Sequence, residues 1–81
     1  MAENGADLAL RLKVKVKLDE HGLTNKWLLK RLLLSGMNVT ATSLSLALTG
    51  SRVGVASDLI ILKAWDELML YERRMMDHAS V

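Results

Sequence analysis

Hydroxyl and amide side chains cluster in the middle of this chain, bracketed by cations. Asn25 and Lys26 come first, then Thr40, Ala41, Thr42, Ser43, Ser45 and Leu46, and Arg52 closes the stretch. Lys and Arg neutralise phosphate. Asn, Ser and Thr bond to phosphate oxygens or base edges, and Ala and Leu offer apolar contact to thymine methyls. Other chemistries are thin. The chain has no cysteine, which excludes a thiol nucleophile, a disulfide and the usual thiolate metal sites. It has no glycine-rich phosphate loop and no ligand cluster with metal spacing. His21 stands beside Asp19 and Glu20, a trio that raises the question of a metal or a general base. The other histidine, His78, lies far along the chain, so we read His21 as a solvated turn residue. Asp19/Glu20 and Asp66/Glu67 are adjacent pairs whose side chains diverge, which prevents convergent acid–base work. The serines have no evident histidine partner. We therefore expect no enzyme activity, no cofactor and no metal.

Two short helices are expected to position the central cluster. Thr24 is placed to cap the first, with Trp27, Leu28 and Leu32 forming its inward stripe. Ser35-Gly36 stops it, since glycine accepts the left-handed conformation that helix ends favour. Asn38 or Thr40 caps the second helix, which turns Leu44 and Leu48 inward and ends at Thr49-Gly50. Two helices with a connection between them and a basic residue after the second form a helix-turn-helix candidate. Trp27 reads as a core anchor rather than a base-stacking platform.

The residues Gly22-Leu23-Thr24, Trp27-Leu28, Leu32, Leu44-Ser45, Leu48, Gly50 and Arg52 resemble the pattern of the phage-repressor-like (Cro/Xre-type) helix-turn-helix family. The resemblance spans roughly residues 14–62 and rests on common residue types. It implies an all-α, lambda-repressor-like bundle of four to five helices. It also implies a sequence-specific DNA-binding regulator, a repressor or Cro-like protein of a phage or other mobile element. The connection Leu33–Val39 is longer than the family's turn, so either the first helix gains about a turn or the loop is longer. The family carries Gln, Arg, Asn or Lys where this chain has Ala41, Thr42, Ser45 and Leu46, so bidentate reading of guanine or adenine is not available. Two readings follow. The second helix reads a thymine-rich site through methyl contacts and shape. Alternatively, the scaffold binds another regulatory protein, as an antirepressor or inhibitor would.

Composition fits both readings. Eighty-one residues make one domain, expected over 7–76 with a flexible N-terminus at 1–6 and a flexible tail at 77–81. Half the residues are hydrophobic, with no phenylalanine, and this aliphatic excess suggests a self-association surface. Residues 1–54 hold eight basic and four acidic groups, a balance of +4; residues 55–81 hold three and five, a balance of −2. The basic half contains the candidate helix pair, as phosphate contact requires, although a solvated basic face would look the same. No apolar run is long enough to span a bilayer, and the first seven residues lack the basic start of a secretory signal. A cytoplasmic protein is expected, with double-stranded DNA and a second copy of itself as partners.

The flanks are read less directly. In Leu8–Leu18 the apolar residues fall at every even position, the period of a strand, while Leu10, Val14 and Leu18 also suit a helix capped by Asp7. A strand would need a partner that the rest of the chain does not supply, so the helix is favoured. It leaves Leu12 and Val16 partly exposed without explanation. From Ser57 or Asp58 to about Met76 a helical stretch is expected, continuous or bent near Trp65–Asp66. Ile60, Ile61, Ala64, Trp65, Leu68, Tyr71 and Met75 make its broad face, and Leu59, Leu62, Met69 and Leu70 a second one, the candidate dimer interface.

Overall fold

The structure, a computed structural model, describes residues 8–51 and 54–79. Four helices follow in order: α1 (Leu8–Glu20), α2 (Asn25–Leu34), α3 (Ala41–Thr49) and α4 (Val55–Ala79). No strand occurs among the described residues, and the chain is all-α.

Residues 8–20 form a helix, which sets the strand alternative aside. Its inward stripe is Arg11, Val14 and Leu18, spaced by three and four; Leu10 is only half-buried at its edge. The helix satisfies its own backbone groups, whereas a lone strand would leave them unpaired. Leu12 and Val16 face outward.

The remaining helices close over one core. Leu28 and Leu32 of α2, Leu44, Ala47 and Leu48 of α3, and Ile60, Ile61, Ala64 and Leu68 of α4 are buried together with Val14, Leu18 and Val39. Each fully buried leucine contributes roughly 1.5–3 kcal/mol relative to exposure. Trp27 packs half-buried against this core and meets Tyr71 edge-on at a ring separation of 5.3 Å. This is the anchor role read from the sequence.

Local chemistry sets the ends of α2 and α3. Thr24 Oγ1 accepts from the Trp27 N–H at 3.1 Å, and Thr40 Oγ1 accepts from the Ser43 N–H at 3.1 Å. Of the two caps considered for α3, Thr40 serves and Asn38 does not. α2 runs to Leu34 and is closed by the Met37 N–H donating to Leu32 O at 3.1 Å, around Gly36 at φ 95°. The connection is thus a loop over residues 35–40, and buried Val39 pins it to the core.

α4 begins at Val55, ahead of Ser57, and continues through Trp65–Asp66 to Ala79. It holds no proline or glycine, so nothing in its sequence breaks it. Ser57 is buried in its first turns rather than capping it. The expected tail at 77–81 is helical through Ala79. Residues 80 and 81, the N-terminal segment 1–6 and the Asp7 cap lie outside the described residues.

Candidate nucleic-acid interface

One side of α3 is spent on the core, and the other is left to solvent. Leu44, Ala47 and Leu48 point inward, while Ala41, Thr42, Ser45 and Thr49 are exposed along a single stripe. Ser43 and Leu46 lie half-buried on its flanks. Thr40 is exposed, but its hydroxyl is committed to the cap and also donates to Ser43 Oγ at 2.9 Å. Thr49 donates to Leu46 O at 3.2 Å. Thr42 and Ser45 therefore supply the uncommitted hydroxyls of the stripe, and Ala41 supplies a methyl group.

The start of α2 has a different character. Asn25 and Lys26 are exposed in its first turn, next to the Thr24 cap. Their N–H groups precede the first intrahelical bond, which Leu28 makes to Thr24 O at 3.1 Å. Lys30 lies one turn beyond Lys26, and both point away from buried Leu28 and Leu32. α2 and α3 pack against each other, so the helix start and the polar stripe are held on one frame. Arg52, expected at the phosphate backbone, lies outside the described residues. In the candidate dimer set, Leu59, Leu62 and Leu70 are exposed, and Met69 is half-buried against the core.

Three polar links hold this frame. Arg11 is only 3 % exposed; its Nη1 donates to Ala47 O at 2.6 Å and its Nη2 to Asp58 Oδ1 at 2.8 Å. It joins the last turn of α3 to the first turn of α4. Arg31 of α2 meets buried Glu67 of α4 at 3.2 Å. Lys17 and His21 both reach Glu72 Oε2, at 2.8 and 2.9 Å. The bond from Lys17, followed by that from His21, holds the Glu72 carboxyl below its usual range, and the bond to Glu72 raises the Lys17 ammonium.

No family model matches this sequence, and no curated protein or solved structure matches it significantly. The functional reading therefore rests on the residues themselves.

Glu20, His21 and Glu72 bring three ligand atoms within 4.8 Å, a set that could hold a cation. The Lys17 ammonium already supplies positive charge there, at 2.8 Å from Glu72 and 3.7 Å from Glu20. Exposed Asp66 and buried Glu67 diverge, as expected of neighbours on a helix. Among the described residues no helix is long and apolar enough to cross a membrane.

Sequence reasoning missed Arg11, Glu67 and Glu72. For Arg11 a signal existed, because with Val14 and Leu18 it completes a three-and-four spacing. It was hidden by the expectation that an arginine faces water. For Glu72 no local signal exists, since its partner His21 is fifty-one positions away.

Proposed function

We propose that this protein is a sequence-specific DNA-binding transcriptional regulator of the helix-turn-helix, phage-repressor-like type, repressor or Cro-like, working as a homodimer. The observation that carries this reading is the outward polar stripe of α3 combined with Lys26 at the capped start of α2, on two helices packed together. In this account α3 enters the major groove. Its short side chains bring the helix backbone close to the bases. Thr42 and Ser45 make single hydrogen bonds, and Ala41 contacts thymine methyls. Asn25, Lys26 and the first-turn N–H groups of α2 hold a phosphate, with Arg52 on another. No side chain on the stripe can clamp a guanine, so discrimination depends on methyl contacts and DNA shape. Two copies occupy half-sites about one helical turn apart and exclude polymerase by occupancy.

Lys26→Ala tests the phosphate assignment. Binding to a preferred and to an unrelated duplex should weaken about equally, and the slope of log K against log salt should fall by about 0.9. A changed sequence preference, or binding indifferent to salt, would contradict it.

A second reading, an antirepressor or inhibitor that binds another regulator, is favoured by one observation. Leu33 and Leu34 close α2 with their side chains exposed, Leu34 at 67 %. Exposed leucines such as these are side chains a protein partner would cover.

A further inference from the structure

The outer face of α4 carries a regular stripe. Leu59, Leu62, Asp66, Met69, Arg73 and Met76 follow one another at intervals of 3, 4, 3, 4 and 3 residues. This spacing keeps side chains on one seam along a helix and is the spacing by which two helices pair. The seam lies opposite the buried Ile61, Ala64 and Leu68, and of its residues only Met69 packs partly against the core. Leu59 is 54 % exposed and Met76 71 %; Leu62 is also exposed, and Met69 is half-buried. Beside the seam, toward α1, an open groove of about 520 Å³ is lined by Ala9, Leu12, Lys13, Val16, Lys17 and Trp65. The apolar surface therefore continues from α4 onto the two α1 residues that the core leaves outside.

Two charges interrupt the seam, Asp66 and Arg73. Both are exposed, and neither forms a salt bridge among the described residues. They are seven residues apart, roughly 10 Å along the helix axis, too far to pair with each other.

We propose that this seam binds a second copy of the chain, with the two α4 helices antiparallel about a two-fold axis. Reversal maps the stripe onto itself. Leu59 then lies opposite the partner's Met76, Leu62 opposite the partner's Arg73, and Asp66 opposite the partner's Met69. Helical side chains lean toward the N-terminus of their own helix. In an antiparallel pair, Asp66 and the partner's Arg73 therefore lean toward each other, and the two-fold makes this ion pair twice. A parallel pair in register would set Asp66 against the partner's Asp66 and Arg73 against the partner's Arg73. Leucine and methionine allow either direction; the two charges select one. The partner helix also covers the mouth of the α1–α4 groove, which accounts for the apolar Leu12 and Val16 there. The inference deepens the homodimer of the proposed function but does not depend on DNA binding.

The test uses the full chain without DNA, so its result is separate from the fate of the DNA reading. Sedimentation equilibrium measures dimer dissociation for the parent chain, D66R, R73D and the D66R/R73D double variant, with helicity followed by circular dichroism. Each single reversal should raise the dissociation constant at least about tenfold, and the double reversal should restore it to within about threefold of the parent. Because the chain has no native cysteine, direction can be read by oxidation. Chains carrying L59C mixed with chains carrying M76C should form the mixed disulfide faster than either forms its own. A parent chain that stays monomeric to millimolar concentration, single reversals without effect, a double reversal that fails to restore, or faster disulfide formation within L59C alone would each overturn the proposal.

Discussion

The outer faces of α3 and α4 flank the same core, yet they differ in chemistry. On α3 the face is short-chained and polar: Ala41, Thr42, Ser45 and Thr49. On α4 it is long-chained and apolar, with Leu59, Leu62, Met69 and Met76 interrupted only by Asp66 and Arg73. Small hydroxylated side chains lose little by staying hydrated and allow a close approach to a polar surface. Exposed leucines and methionines gain most from being covered by their like. The difference suits the proposed division of labour, one face toward a polar polymer and the other toward a second copy.

That division depends on a frame shared by both faces, and the largest expected effect comes from breaking it. Arg11→Ala removes a buried guanidinium, leaves Ala47 O without that donor and separates α3 from the start of α4. A loss of about 2–3 kcal/mol in urea unfolding is expected, with both faces failing together. A variant of parental stability would show that the two helices are held by apolar packing alone.

Substitutions on the faces should then act separately. Leu62→Arg sets a second cation against the partner's Arg73 and should abolish dimer formation, while changing monomer stability by no more than about 0.5 kcal/mol, as sedimentation and urea unfolding would show. Leu46→Lys on the flank of α3 should leave the dimer intact. By adding a cation it should leave DNA binding unchanged or strengthen it slightly. Severe loss of function in this variant with folding preserved would favour the protein-partner reading instead.

The smallest expected effect lies in the link between α1 and α4. Glu72 is held below its usual pKa by Lys17 and His21, so its contribution is present above the ordinary carboxylate range and lost as pH falls through the lowered value. The Lys17 ammonium is raised, so its contribution is lost only as pH rises through that raised value. Thermal unfolding should therefore show a shallow extra loss on acidification that Glu72→Gln removes. Because these groups are partly solvated, the change should be small.

What was legible in the sequence follows from how local each signal is. The α2–α3 pair could be read because Thr24, Thr40, Gly36 and Gly50 act on backbone groups within a few residues of themselves. The α1 segment was ambiguous because its even-spaced aliphatics satisfy two periods. Only the packing of Val14 and Leu18 in the shared core, with Arg11 buried beside them, decides between these. The ends of α4 were misplaced by two or three residues for lack of a decisive stop signal. The polar links were invisible because each joins residues more than thirty positions apart. In the candidate interface, the exposure of Ala41, Thr42 and Ser45 followed from helical period alone. The half-burial of Ser43 and Leu46 depends on what packs beside α3, which no local pattern reveals.

Whether the α3 face reads DNA is tested by selection from a random duplex pool across a salt series, with the mass of the bound species determined in parallel. Salt-sensitive binding by a dimer is expected, with enrichment of a thymine-rich, two-fold symmetric site whose half-sites lie about one helical turn apart. Absence of binding at low salt, with the protein folded, would contradict it.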